Sequence, residues 1–239
     1  MVNQYTGISD YYDLLMMSGY YDYQKIAQEA HSIVGDGRQV LEIGVGTGLL
    51  AEKYLEVAPN CHFTGVDITP SMVELAKKRL EKRVDLIVAD ALTMELNTTF
   101  DVAISNGGVW MFIEHGERLE LVSHIPDVQT NYQGLKNLAR HLRTGSLFLL
   151  SIQKSGVNFA KSLPGGIIYS QVIEELEDKV DYYTRKKSYF FKEDDKVLAQ
   201  EQLKITIFRQ DAYQKLFDAA GFDFQGVNNE NSLIIYKKR

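Results

Sequence analysis

The sequence predicts an α/β fold, a mainly parallel sheet with helices on both faces and an antiparallel addition in the C-terminal half. Short apolar runs alternate with amphipathic helical periods from residue 22 to residue 152, and the first such run ends in a glycine-rich turn that opens a helix. Strands that alternate with helices are joined by crossovers, which make neighbouring strands parallel and the connections right-handed.

Ile26, Ala27, Ala30, Ile33 and Val34 recur at helical spacing over residues 22–34, and Gly35-Asp36-Gly37 breaks that helix. Val40 to Ile43 then reads as a buried strand, followed by a helix over 48–57, a strand over His62 to Val66 and a helix from Pro70 to Lys82. Asp85 to Val88 and Phe100 to Ser105 read as further strands, and residues 129–142 as a helix closed by Gly145 before a strand at Leu147 to Ile152. Beyond that point the grammar changes. Ser155 to Ser170 is rich in Gly, Ser and Lys, and long strand-like segments flank the turn Lys192-Glu193-Asp194-Asp195-Lys196, as in an antiparallel pair. Lys186 and Lys187 read there as a solvated face. A helix at Gln210 to Ala220, stopped by Gly221, precedes an edge-like segment at Ser232 to Lys237. The organisation expected is one domain over 1–239, with a core at 38–152 and an insertion at 153–207.

Of the 239 residues, 45% are hydrophobic and 24% charged, the balance of a soluble globular protein. No apolar run approaches the ~20 residues of a membrane span, and the start lacks the pattern of a secretory signal. The single Cys61 excludes an intrachain disulfide framework, so a cytoplasmic protein without membrane contact is expected. The net charge of −6, with Lys and Arg dispersed, offers no footprint for nucleic acid. No His, Cys or carboxylate cluster has metal-ligand spacing, so no metal is expected.

The strongest local signal is Glu42-Ile43-Gly44-Val45-Gly46-Thr47-Gly48, in which a buried strand delivers an acid and three alternate glycines into a helix. Without Cβ atoms such a turn lets a ligand approach the backbone. Asp67 ends the next strand, 19 residues beyond Gly48, where a carboxylate can accept from ribose hydroxyls. Asp90, followed by Ala91, stands just past the third strand, placed to accept from an exocyclic adenine amine. A dinucleotide site would carry Gly-x-Gly-x-x-Gly, but Leu49 takes the place of its third glycine, which disfavours a pyrophosphate.

This set, with Gly65-Val66-Asp67 and Phe100-Asp101-Val102-Ala103, resembles the motifs of class I S-adenosylmethionine-dependent methyltransferases over residues 38–152. The resemblance implies a Rossmann-like sheet and S-adenosylmethionine as cofactor. It implies that Gly44, Gly46 and Gly48 pack against the methionine part, that Asp67 binds ribose and that Asp90 and Ala91 flank adenine. Glu42, Ile68, Met72 and Ser105 complete the cofactor-binding candidates. Ser9-Asp10-Tyr11-Tyr12-Asp13-Leu14 and Ile205 to Tyr213 look like the ends of amino-sugar N-methyltransferases. That likeness implies that residues 1–34 fold over the cofactor, that 153–207 form a substrate lid, and that Tyr12 faces the cofactor or the migrating methyl group. Those sugar enzymes carry a histidine after the fourth strand. Spacing from Asp101 brings this chain to Phe112 instead, and Trp110-Met111-Phe112 suggests a less polar or aromatic acceptor.

For catalysis the candidates are Tyr12, Asn106 in the loop after the fourth strand, and His115, with His124 as a second histidine near the same sheet edge. Asn106-Gly107 equally suits an ordinary turn, and Glu114-His115-Gly116-Glu117 a charged, solvated one. Among 14 tyrosines, those near the start beyond Tyr12 read as packing. The expected partner is a small methyl acceptor, the chain being a monomer or homodimer. An amine acceptor leads, a hydroxyl or carboxyl acceptor is the alternative, and a nicotinamide-dependent oxidoreductase is the reading from another class.

Overall fold

The computed structural model describes residues 3–36 and 38–239; Gly37, part of the first predicted helix stop, lies outside the described residues. Strand β1 (Gln39–Ile43) lies between two parallel neighbours, β2 (His62–Asp67) and β4 (Phe100–Ser105), and β3 (Asp85–Val88) extends the sheet beyond β2. On the other side β7 (Leu142–Lys154) runs parallel to β4, giving the order β3-β2-β1-β4-β7. All these strands end at one edge, so the loops after β1, β2, β3 and β4 converge there, as ligand sites in open α/β sheets require.

Alternation along the strands sends side chains into two cores. Val40, Val102 and Ile104 pack against α2 (Tyr23–Val34), α3 (Leu49–Val57) and α4 (Pro70–Leu80) through Ala27, Tyr54 and Leu80. Leu41, Ile43, Phe100 and Ala103 point to the opposite face, where Leu135, Leu138 and Phe217 come from α5 (Val128–Arg140) and α6 (Gln210–Ala220). Helices therefore cover both faces, as the strand–helix alternation requires.

Beyond β4 the chain departs from expectation in four places. The stretch after β4 is a hairpin of β5 (Trp110–His115) and β6 (Arg118–Ser123), turned at Gly116 with φ 64°. Trp110 and Phe112 are fully buried in the α5/α6 core rather than facing an acceptor. The predicted antiparallel pair is a four-stranded extension, β8 (Phe159–Ser162), β9 (Ile167–Asp178), β10 (Tyr182–Glu193) and β11 (Lys196–Phe208), and β11 joins it to β6. Near the end, β13 (Leu233–Lys238) is not an edge: it lies between β7 and β12 (Phe222–Val227). Gly145, expected to close a helix, sits inside β7, where Phe100 pairs with Leu142 but Val102 with Leu147, so the intervening residues bulge. The helix before it ends at Arg140 because His141 Nδ1 bonds the Asn137 carbonyl at 2.9 Å, and the chain turns at once into the strand.

The hairpin is fixed to α5 by a buried polar contact. The Trp110 indole N–H donates to Asn131 Oδ1 at 3.0 Å, and Asn131 Nδ2 donates to the carbonyls of Ile125 and Asp127 at 3.1 and 2.8 Å. Asn131 is fully buried. Replacing it by leucine strands a buried donor and two carbonyls, each lost partner costing on the order of 1–3 kcal/mol. Asn131→Leu is expected to lower unfolding stability by about 2–4 kcal/mol, read from the urea midpoint at unchanged slope.

Candidate active site

The site is assembled from backbone upward where β1 and β2 end. The amides of Gly44 and Val45 both donate to the Val66 carbonyl, at 2.7 and 3.0 Å, which folds the glycine turn back over β2. The Asp67 carboxylate then bridges two loops: Oδ2 accepts from Gly46 N at 2.9 Å and Oδ1 from Thr69 N at 2.8 Å. Gly44 has φ 81°, and a Cβ there would lie 2.6 Å from Gly108 Cα, so only glycine lets the turn meet the loop after β4. Gly48 serves the fold: it is the left-handed N-cap of α3, and a Cβ would meet Leu80 of α4 at 2.7 Å.

The N-terminal segment closes over this turn. A 3₁₀ turn (Thr6–Ile8) leads into α1 (Ser9–Met16). Asp13 of α1 accepts from Thr47 Oγ1 in the glycine turn and from the Arg79 guanidinium of α4, while Arg79 Nε donates to the Thr47 carbonyl at 3.0 Å. Asn3 Nδ2 reaches the carbonyl of His124 at 2.7 Å, and Tyr5 N donates to Thr69 Oγ1 at 3.2 Å.

Three cavities meet under that cover, and Tyr12 and Gly107 line all of them. The first, about 1160 Å³ with its mouth, runs along the sheet edge past Gly44, Gly46, Asp67, Ile68, Met72, Asp90 and Ala91. Asp90 Oδ1 accepts from Leu92 N at 2.9 Å, which holds its carboxyl at the cavity. The second, about 290 Å³, holds Glu42 and Asn106 against the glycine turn. The third, about 460 Å³, is walled by tyrosines of the N-terminal segment and by Tyr169, Lys187 and Tyr189 of the β-extension.

Of the predicted residues, three stand apart from these cavities. Ser105 is fully buried and its Oγ accepts from Trp110 N at 3.2 Å, a role in the hairpin. Gly48 packs against α4. His115 lies at the far end of the β5–β6 hairpin, exposed and 3.2 Å from Glu120, in a separate cleft with Arg118 and Arg209. The imidazole at the convergence of the loops is His124, which lines the first and third cavities. Tyr5, Tyr20 and Tyr21, read from sequence as packing, also line the third cavity. Gly107 was passed over, because Asn-Gly after a strand carries no signal beyond a turn.

Electrostatics distinguish the three chambers. Burial and the neighbouring Asp67 carboxylate push Glu42 well above the usual carboxylate range, and its Oε2 has no hydrogen-bond partner; Asn106 Oδ1 is likewise buried and unpartnered. Burial also raises Asp67, against the opposing pull of the Thr69 and Gly46 amides. Burial and then the Lys187 charge pull His124 down to about 4, so its imidazole is neutral across physiological pH. Desolvation, helped by Asp67, raises the Tyr12 phenol, which stays protonated.

These residues fit S-adenosylmethionine. The unpartnered Glu42 and Asn106 oxygens stand beside the glycine turn, where a methionine ammonium would satisfy them, and Asp67 and Asp90 lie along the longer cavity as acceptors for ribose and adenine.

Two measurements follow from this chamber. An acid whose folded pKa is raised stays protonated in the native state while the unfolded chain ionises, so stability falls as pH rises above the ordinary glutamate range near ~4.5. Glu42→Gln removes that loss. The ligand-free variant is expected to gain about 1 kcal/mol or more over wild type at pH 8 and nothing below pH ~4, read from urea unfolding at both values. Asp67→Ala deletes the bridge between the two loops and is expected to weaken S-adenosylhomocysteine binding about 10- to 100-fold by calorimetric titration.

Residues 40–145 match the family model described as "Methyltransferase domain". A malonyl-[acyl-carrier protein] O-methyltransferase of Priestia megaterium is 36% identical over 156 residues, 64% of this chain and 56% of the relative, so the chain spans about half the length of that curated relative. Among solved structures, Streptomyces venezuelae DesVI superposes with TM-score 0.71 at 18% identity, over 97% of this chain and 98% of its own. CalS10, an amino pentose methyltransferase from Micromonospora echinaspora solved with S-adenosylmethionine bound, gives TM-score 0.65 at 17% identity, over 95% and 96% of the two chains. The match to that model runs through the glycine turn, Asp67 and Asp90, which are the residues that line the longer cavity, and over residues 40–145 the core of this chain is similar to a methyltransferase domain.

Proposed function

We propose that the chain transfers the methyl group of S-adenosylmethionine to the amine nitrogen of a small molecule held in the third cavity. The observation that carries this reading is the junction at Tyr12 and Gly107, where the long first cavity and the small chamber beside the glycine turn meet a tyrosine-walled third chamber containing a neutral imidazole. In this reading Tyr12 and Asn106 flank the methionine end, Asp67 and Asp90 with Ala91, Ile68 and Met72 hold the nucleoside, and residues 153–207 form the acceptor's lid.

Methyl transfer from a sulfonium is an in-line displacement, so alignment of donor, methyl and acceptor can supply ~7–11 kcal/mol of the barrier. The nitrogen must present a lone pair, which only the unprotonated amine has. Among the described residues no carboxylate lines the third cavity to hold an ammonium, and Lys187 repels one, so the chamber favours the free base. A neutral His124 accepts a hydrogen bond from the amine N–H and turns the lone pair towards the junction; Tyr5 Oη, 3.1 Å from His124 Nε2, fixes the ring. As the new N–C bond forms the sulfonium's S–C bond breaks, and the charge passes to the nitrogen, which sheds its proton to solvent after release. The structural neighbour KedS8 of Streptoalloteichus, a sugar N-methyltransferase that superposes with TM-score 0.66 at 18% identity, supports nitrogen as acceptor.

A second reading, transfer to oxygen, draws on the name of the 36% identical relative. The test is a panel of small primary amines and their matched alcohols and acids, incubated with S-adenosylmethionine and read by S-adenosylhomocysteine release and product mass. Methylated amines, with kcat/KM rising with pH as each amine loses its proton, are expected; methylated alcohols or acids alone would replace nitrogen by oxygen. His124→Asn is expected to lower kcat/KM about 10- to 100-fold while leaving S-adenosylhomocysteine affinity within about twofold.

A further inference from the structure

The third cavity contains one charge that methyl transfer to a bare amine leaves without a counter-ion. Lys187 lies in the middle of β10 and projects into the chamber, its ammonium 5.4 Å from the centroid of the Tyr189 ring. Sequence patterning groups it with Lys186 as a solvated face, but neighbours on a strand point to opposite faces, and only Lys186 points outward. Lys186 pairs with Glu174 at 3.0 Å and Arg185 with Glu175 at 3.1 Å. Opposite Lys187 on its two neighbouring strands stand Ile173 and Leu203. The same strand thus pairs two cations with glutamates and leaves the third facing the chamber. Among the described residues no carboxylate lines that chamber, and the groups that act on the ammonium are Tyr189, Tyr20 and Arg185. Burial pulls the Lys187 ammonium towards neutrality, but the tyrosine hydroxyls outweigh it and hold its pKa above the ordinary lysine value.

An ammonium that its surroundings keep charged, in a chamber without a carboxylate, is free to receive an anionic ligand. Lysine offers three donors as a point charge and suits a carboxylate or a phosphoryl group equally, while the tyrosine rings favour a flat body. Resting on the reading of this chamber as the acceptor's, we propose that the methyl acceptor carries an anionic oxygen group, carboxylate or phosphoryl, which Lys187 binds at the end of the cavity away from the cofactor. In such an acceptor the anion meets the lysine, and the amine nitrogen stands towards His124 and the junction.

The test uses enzyme loaded with S-adenosylhomocysteine and three probes of one shape, 4-aminobenzoate, 4-aminophenyl phosphate and 4-aminobenzamide, titrated calorimetrically. At least one anion is expected to bind about tenfold or more tightly than the neutral amide, and which anion does so distinguishes carboxylate from phosphoryl recognition. Lys187→Met should bring the anion to the level of the amide, and Lys187→Arg should keep the preference. S-adenosylhomocysteine affinity, unchanged in both variants, reports that they fold and that the cofactor chamber is intact. Equal binding of amide and anions, absence of anion binding by the loaded wild type, or an undiminished preference in Lys187→Met would overturn the proposal. Failure of wild type to bind S-adenosylhomocysteine would remove the methyltransferase reading beneath it, a result separable from the others by the first titration.

Discussion

The site depends on one carboxylate. Asp67 ends β2 and accepts from Gly46 N on one side and Thr69 N on the other, so a single side chain sets the spacing of the loops after β1 and β2. Both bonds go to an ionised acceptor, the stronger kind of hydrogen bond. The same carboxylate lines the longer cavity. Burial works against the charge, and it is the backbone amides that oppose that cost. The geometry that organises the turn is therefore the geometry that presents an acceptor to a ribose.

On that frame the N-terminal segment is held both by polar contacts and by an apolar cluster in which Ile8, Leu15 and Met16 pack against Leu49, Leu163 and Leu203. Asp13 is shared between Thr47 of the glycine turn and Arg79 of α4, and Arg79 also reaches Glu52 at 3.3 Å. Lys161 of β8 donates to the carbonyl of Ser18 at 2.7 Å, so the insertion grips the same segment from the other side. Ion pairs of partly exposed groups contribute little stability each. Most of what holds the cover is therefore the apolar cluster, and the polar contacts fix its register on the glycine turn.

How much of this was legible in the sequence follows from how local each signal is. The glycine turn, Asp67 and Asp90 are strand-end chemistry, set by residues adjacent in sequence, and the structure puts them along one cavity. The β5–β6 hairpin was not legible, because Trp110 to Ile113 is buried on both faces and lacks the alternation that marks a half-buried strand. That omission decided the histidine. Read as a loop, the segment keeps His115 and His124 equally near the sheet edge. Folded as a hairpin, it carries His115 away, and the pairing of Trp110 with Ser123 returns His124 to the edge. The tyrosines of the first segment read as packing, since nothing local says that the surface they pack against is a cavity. Lys187 failed for a similar reason: its charge is visible in sequence, but its lack of a partner is a property of cross-strand register.

The charges are arranged along the path of the reaction. Two raised acids, Glu42 and Asp67, stand at the cofactor end, a neutral imidazole stands by the junction, and the unpaired cation faces the acceptor chamber. In the proposed reaction, transfer would move the positive charge of the sulfonium across the junction into the chamber that holds Lys187. A cation there would oppose the transition state if it stood alone, because like charges close together in a poorly solvated space repel strongly. An anion on the acceptor reverses the sign. It neutralises the lysine before the methyl group moves, and the charge arriving on nitrogen then enters a chamber whose net charge no longer opposes it. It also removes one of the two effects that depress His124, making the imidazole a better hydrogen-bond acceptor once the chamber is filled. In such a site, occupancy by the right acceptor prepares the electrostatics for the step that follows, and an acceptor without the anion would meet a barrier that alignment alone has to overcome.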